Sequence, residues 1–379
     1  MDIETVVETG TGVSLTCERG ELVRRLAIVS RALSTRTTVQ VLSGILLEAE
    51  GDRLTLAATD MELSLRSSLD AQVGSEGRVV VPGRLLVEIA RLLPGGDVSF
   101  THRPEEGIVE LSSGTASYRL HTLSAEDFPR LPEATAAQLH SIDADALVST
   151  ASQVGRAASR DESRPVLTGV LVRFEAGKLV MAATDSYRMS VRETEVQGDA
   201  PDLEAIVPAR ALGEVTRVAA GAGELELGMH DNQLVFSLPE AGVLLTTRRI
   251  DGQFPNYQQL LPDTFEHELT LPREELLEVV RRVAVVSQRN SPLRLRFAEG
   301  ELTISARTPD VGEARESLPV PFSGEELEIG FNPEFLREGI ESVQGDDIVL
   351  RLISPLRPGL LQSAERDFWY LIMPIRLAG

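Results

Sequence analysis

Residue types that perform chemistry are sparse in this chain, and none is spaced for catalysis. His102, His121, His140, His230 and His267 are scattered without metal-ligand spacing, and neither a Ser-His-Asp order nor a Gly-rich phosphate loop appears. Lys178 is the sole lysine; Leu179 follows it in "EAGKL", where a phosphate-binding loop would need Gly-Lys-Ser/Thr. Cys17 has no partner for an internal disulfide, which fits a reducing compartment, and it reads as a buried strand residue. Asp60 and Asp185 both follow "AAT", a setting for turn or cap residues and not for catalytic carboxylates. The residues therefore predict a binding protein with no cofactor, no metal and no catalytic group.

What the chain would bind is less direct. A formal charge of −21 argues at face value against nucleic acid, because binding DNA means neutralising phosphates with Lys and Arg. The cations, however, are segregated. Arg19, Arg24, Arg25, Arg31 and Arg36 stand in the first helical segment beside one acid, Glu21, and Arg156, Arg160, Arg164, Arg281, Arg282 and Arg289 recur in later ones. Apolar stripes on these helices must face a core, so the arginines point away from it and collect into a positive surface.

The elements that position these residues come in three copies. "LTLAATDMELSLR" at Leu54, "LVMAATDSYRMSVR" at Leu179 and "LTISARTPDVGEAR" at Leu302 place Asp60, Asp185 and Asp310 at a constant spacing of 125. Pro82, Pro208 and Pro333 mark a second helix in each copy, and "DFPRLP" with "QFPNYQQLLP" gives a third marker at Pro129 and Pro255. Each unit opens with an amphipathic helix, seen in Leu22, Leu26, Val29 and Leu33, then Leu147, Ala151, Val154 and Ala158, then Leu276, Val280 and Val283. Alternating strands fill the rest. The predicted fold is α+β: three repeated domains, 13–138, 139–263 and 264–379, each with two helices packed on antiparallel sheets, after a short extension over 1–12. The opening "MDIETVVETGTG" lacks the basic and apolar regions of a signal peptide, and no run of about 18 apolar residues occurs, which predicts a soluble cytoplasmic protein with no membrane partner.

The apolar C-terminal run "FWYLIMPIRLAG" falls where "SYRLHTL" and "LLTTRRI" fall in the other copies, so it reads as the closing strand of the third unit. With the three repeats, the "ATDSYR" turn and "DGQFPNYQQLLP", this ending closely resembles the bacterial DNA polymerase III β subunit family, the sliding clamps, from about Val13 to Leu377. The resemblance implies a non-catalytic processivity factor. In the family two three-domain protomers join head to tail into a six-domain ring that encircles double-stranded DNA without reading its sequence. About twelve helices spaced at about 9 Å would leave a hole of roughly 24 Å, wide enough for a duplex. An acidic exterior would repel DNA from the wrong face.

Carried over by residue, the resemblance implies DNA-facing positions at Arg36, Arg164 and Arg289. It implies a peptide pocket at Leu167, Thr184, Ser186, Tyr187, Arg188, Met189, Pro255, Gln259, Leu260, Leu371, Met373, Pro374, Ile375 and Arg376. Such a pocket would take linear peptides with apolar ends from the polymerase III α subunit, other polymerases, the clamp loader, ligase and mismatch-repair proteins. The homodimer would meet at Tyr118 and Leu120 on one side and Val285 and Val286 on the other. Ser186-Tyr187 stands where the family often has Gly-His, Gln259 where Arg is common and Ile375 where Met is common, and Ala378-Gly379 extends the end. The alternatives are a non-ring DNA-associated scaffold and a second-copy clamp with altered partner or inhibitor binding.

Overall fold

A computed structural model describes residues 12–34, 38–131, 138–196, 202–262, 264–288 and 291–377. The first repeat runs β1 (Ser14–Glu18), α1 (Arg19–Val29), β2 (Gly44–Glu50), β3 (Arg53–Thr59), β4 (Leu63–Asp70), β5 (Gln72–Ser75), β6 (Gly77–Pro82), α2 (Gly83–Leu92), β7 (Asp97–Arg103), β8 (Ile108–Ser113) and β9 (Ala116–His121). The second runs β10 (Gln138–Asp143), α3 (Ala144–Val154), β11 (Gly169–Glu175), β12 (Lys178–Thr184), β13 (Arg188–Glu195), β14 (Glu204–Pro208), α4 (Ala209–Ala219), β15 (Glu224–His230), β16 (Gln233–Leu238) and β17 (Val243–Arg248). The third runs β18 (His267–Pro272), α5 (Arg273–Ala284), β19 (Leu293–Ala298), β20 (Glu301–Thr308), β21 (Gly312–Pro319), β22 (Leu327–Phe331), α6 (Pro333–Ser342), β23 (Asp347–Leu352), β24 (Gly359–Ser363) and β25 (Phe368–Ile372). The order of elements is the same in all three apart from the extra β5.

Local chemistry explains the helix starts. The Glu18 carboxylate accepts from the amides of Gly20 and Glu21, both at 2.7 Å, and so satisfies two of the free N–H groups that open α1. Asn332 does the same for α6 through Glu334 and Phe335, at 2.9 and 3.1 Å. The prolines differ from expectation in detail. Pro333 is the first residue of α6, but Pro82 and Pro208 are the last residues of β6 and β14, fixing the extended backbone just before each helix turns. Leu22, Leu26 and Val29 of α1, Leu147, Ala151 and Val154 of α3, and Leu276, Val280 and Val283 of α5 are all buried. Gly44 and Gly169 open β2 and β11, where a Cβ would come within 2.4 Å of Val80 and of Ile206 respectively; the bare backbone is what lets β6 and β14 pair so closely.

The chain forms two compact units that do not follow the repeats: Met1–Ala144 with Arg217–Arg248, and Asp145–Thr216 with Arg249–Gly379. Strand pairing across repeats is the reason. In the first unit one sheet has the order β5-β1-β7-β8-β9 and the other β10-β15-β16-β17-β4-β3-β2-β6, so β17 of the second repeat pairs antiparallel with β4 of the first. In the second unit the orders are β14-β11-β12-β13-β25-β24-β23-β18 and β21-β20-β19-β22, with β13 of the second repeat paired to β25 of the third. Each repeat thus carries two half-sheets, and the last strand of one repeat docks on the turn-bearing strand of the repeat before it. Of these joining strands, β9, which closes the first repeat, and β21, the third repeat's counterpart of β4 and β13, each end a sheet with no outer partner among the described residues.

Candidate functional site

The repeated Thr-Asp pair builds the same turn twice. Between β3 and β4, Thr59 Oγ1 donates to Leu63 O and accepts from Met61 N, while Asp60 Oδ1 accepts from Glu62 N and Leu63 N. Between β12 and β13, Thr184 Oγ1 donates to Arg188 O at 2.7 Å and accepts from Ser186 N at 3.1 Å, and Asp185 Oδ1 accepts from Tyr187 N and Arg188 N at 2.9 and 3.0 Å. The aspartates are turn residues, as their setting predicts. The tightness of the turn puts Ser186 at a φ of 81°, the left-handed region, and Met61 matches it at 78°.

Where the copies part company is the fourth residue of the turn. Leu63 closes the first turn in an apolar core, whereas Arg188 closes the second with a buried charge. Arg188 Nε donates to Asp185 Oδ2 at 3.0 Å, Nη1 donates to Glu338 of α6 and to the Tyr370 hydroxyl of β25, and Nη2 donates to the backbone oxygen of Arg156. The guanidinium also lies 4.2 Å from the centre of the Phe335 ring. Burial opposes this charge, but Tyr370 and Glu338 outweigh it and hold Arg188 ionised well above the ordinary arginine range. Burial pushes the Tyr370 phenol up, and its hydroxyl donates to Phe335 O at 3.0 Å. Arg188 is therefore an inward anchor of the turn and not an open pocket wall, a role that its sequence position did not disclose.

Around this anchor the structure assembles the other expected positions. Met189 pairs with Leu371 across β13 and β25, and both join one buried cluster with Leu171, Ile206, Phe254 and Tyr257. Phe254 and Tyr257 bring in the exposed Pro255 between them and the exposed Gln259 and Leu260 of the helical turn Tyr257–Leu260. Met373 N donates to Tyr187 O at 2.9 Å, which sets the chain end beside the turn. Pro374 and Ile375 are half-buried and Arg376 is exposed; Ile375 N bonds Gly330 O on β22. Leu167 is half-buried in the helical turn Pro165–Thr168, its amide on Arg164 O. Tyr187, Leu260 and Met373 are 63%, 51% and 43% exposed, so large apolar side chains stand open to solvent over an apolar floor. A cavity of about 420 Å³ adjoins the cluster, lined by Leu171, Arg173, Ile206, Ile250, Pro255 and Tyr257; the turn and the chain end lie outside its lining.

The remaining expected positions divide. Arg164 donates from Nε to Asp161 and from Nη1 to Ser186 Oγ, both at 3.0 Å, so it is bonded to the turn that carries Tyr187. Arg36 and Arg289 lie outside the described residues. Tyr118 is 39% and Val285 81% exposed and Val286 is half-buried, whereas Leu120 is only 4% exposed. The Leu120 side chain is already covered within its own domain; Tyr118 shares its face of β9 but lies beyond that cover, so Tyr118 and the strand backbone are what is open to a second protomer. Most helical arginines already have partners: Arg24 pairs with Glu21, Arg282 with Glu278 and Glu316, and both Arg156 and Arg281 with Glu341.

Three repeats of helices on antiparallel sheets, joined edge to edge with exposed apolar side chains beside the second seam, define a clamp-type fold. The chain belongs to the DNA polymerase III beta subunit family: the N-terminal domain of that family matches residues 13–132, the central domain 141–256 and the C-terminal domain 258–376. The beta sliding clamp of Streptomyces coelicolor is 34% identical over 96% of this chain and 99% of its own length. A Caulobacter crescentus beta sliding clamp, solved with polyethylene glycol bound to its putative beta-motif tethering region, superposes with a TM-score of 0.91 at 30% identity, covering 97% of this chain and 100% of that one. A Pseudomonas aeruginosa sliding clamp bound to griselimycin gives a TM-score of 0.89 at 27% identity, over 97% of this chain and 100% of that one.

Proposed function

We propose that this protein is a sliding clamp: two copies close head to tail into a ring around duplex DNA, and the groove beside Tyr187 and Met373 tethers polymerases and other replication proteins by short apolar peptides. The observation that carries it is the strand-edge pattern. The last strand of the second repeat pairs with β4, and that of the third with β13. By the same rule β9 belongs against β21: they are the closing strand and the turn-bearing strand that lack this join, and each ends its sheet. A second copy joined head to tail closes both pairs and covers these two edges. Tyr118 on β9 then meets Val285 and Val286, just past α5, across each of the two new seams.

Domains 13–138, 139–263 and 264–379 act as the repeating units of the ring. Topological enclosure makes tight DNA contacts unnecessary, which suits arginines already shared with acids. The protein contributes no catalytic step; it holds a polymerase α subunit, and by turns the clamp loader, ligase and mismatch-repair proteins, on the template. No described helix is long and apolar enough to cross a membrane, and the unpaired buried Cys17 suits the reducing cytoplasm. The test joins native mass with retention on DNA. A dimer that stays on circular DNA after loading with clamp loader and ATP, and escapes when the circle is cut, is expected; retention unaffected by cutting would exclude a sliding ring.

A further inference from the structure

Glu341, at the end of α6, holds arginines from three helical segments of the second unit. Its Oε2 lies 2.7 Å from Nη1 of Arg156, just past α3, and its Oε1 lies 2.9 Å from Nη2 of Arg281 on α5 and 3.9 Å from Nε of Arg337 on α6 itself. The three arginine side chains remain 45%, 49% and 43% exposed, while Glu341 is 22% exposed. One carboxylate thus sits beneath three cations that still reach solvent, and each of its oxygens takes a separate guanidinium. Two free oxygens on one anion are also what a phosphodiester presents, and guanidinium groups suit both.

We propose that this cluster is a phosphate-oxyanion site for the DNA backbone in which Glu341 occupies the place of the phosphate, so that a contact forms only by displacing a built-in competitor. It rests on the reading of the chain as a DNA-encircling clamp. Although burial alone disfavours the charge on Glu341, its bonds to Arg281 and Arg156 hold the carboxyl below the usual range, so the competitor is ionised at neutral pH. A contact that must first break two charge-assisted hydrogen bonds is weak and quickly reversed. Both properties favour movement along the duplex over arrest at one phosphate.

The test uses the full-length dimer and a short linear duplex, with affinity read by fluorescence anisotropy over a series of NaCl concentrations. Glu341→Gln is expected to tighten binding by roughly three- to tenfold and to steepen the slope of log K against log salt by up to about 0.9, the increment for one further phosphate contact. Unchanged or weaker binding by a variant with the wild-type melting temperature would overturn the proposal. If Glu341→Gln does not fold, Arg281→Gln serves instead: weaker binding supports the site, and unaltered binding sinks it. Replacing chloride by inorganic phosphate at matched ionic strength separates the ligand sources, since no effect on DNA affinity is expected, and selective competition would assign the site to free phosphate. Retention of the wild type on circular DNA tests the clamp reading independently of all these outcomes.

Discussion

Nη2 of Arg188 donates to the backbone oxygen of Arg156 at 2.7 Å, which ties the turn of the proposed peptide site to the helix end that carries the proposed phosphate site. The same guanidinium reaches Asp185 on that turn, Glu338 on α6 and Tyr370 on β25. One buried cation therefore fixes the turn, the seam between the second and third repeats, and a helix at once. Glu338 and Glu341 lie three residues apart on α6, one holding Arg188 inside and the other holding Arg156 outside. The two proposed sites therefore share α6 as a common support.

Replacing Arg188 by Met should consequently cost more than a groove contact. The side chains of Arg188, Asp185 and Glu338 are 7%, 12% and 15% exposed, so the substitution strands two carboxylates away from water. Breaking such a pair typically costs about 3–5 kcal/mol. Chemical denaturation should show a loss of that order together with weakened peptide binding. A stability equal to wild type would mean that the turn does not depend on the anchor.

Ser186 tests the turn itself. A left-handed φ of 81° costs a non-glycine residue on the order of 1 kcal/mol or more, and glycine removes that strain. Against this, Ser186→Gly loses the exposed hydrogen bond from Arg164. Relief of the strain is partly offset by the lost bond and by the greater unfolded-state freedom of glycine, and a rise in stability of at most about 0.5 kcal/mol is expected in urea unfolding. The variant also frees Arg164 beside the turn, so its affinity for an acidic apolar peptide should change while that of Met61→Gly, at the equivalent turn, does not.

The dimer prediction follows from which β9 side chains stay uncovered. Tyr118→Glu combined with Val285→Glu places charge on two exposed positions, and should give a folded monomer in sedimentation at micromolar concentration. Leu120→Lys instead buries a charge in the core of its own domain, and should lower the melting temperature before it reports on association. A double variant that sediments as a dimer would remove the β9–β21 seam.

Much of this architecture was legible because repetition converts weak local signals into a strong one: Asp60 and Asp185 fall on superimposable turns, and the closing run Phe368–Ile372 is the strand that β9 and β17 predict. What escaped was anything set by side-chain direction and cover. Leu120 and Tyr118 are two residues apart on one face of a strand, yet differ in exposure because the surrounding domain packs only over the former. Arg188 read as a groove residue because sequence shows that an arginine follows the turn but not that Glu338 and Tyr370, 150 and 182 residues away, enclose it. The regular half-sheet joins, β17 on β4 and β25 on β13, likewise depend on edges meeting in space.

Cys17 supplies a pH prediction. Burial, followed by the nearby charges of Asp97 and Glu18, pushes its thiol from 9.0 up to about 12. A raised folded value means that the stabilisation is complete below pH 9.0 and is lost as pH rises toward about 12, because the unfolded thiol ionises first. Stability should fall across that window less steeply in Cys17→Ala than in the wild type, and thiol reagents at about pH 8, below the ordinary thiol value, should label the native protein only as it unfolds. Rapid labelling of the folded chain would contradict the burial.

The chain end separates strand from groove. Leu371 and Ile372 belong to β25, paired with Met189 and Arg188, and are 5% and 0% exposed, so cutting after Tyr370 removes part of the seam between repeats as well as the groove. Cutting after Ile372 is the cleaner experiment. It leaves every β25 pair intact and removes Met373, whose amide bonds Tyr187, and Ile375, whose amide bonds Gly330. That truncation should keep a cooperative unfolding transition, lowered by the loss of the β22 bridge, while peptide binding by calorimetry disappears. If binding survives it, Met373 to Arg376 are not part of the docking floor, and the apolar tail serves the fold alone.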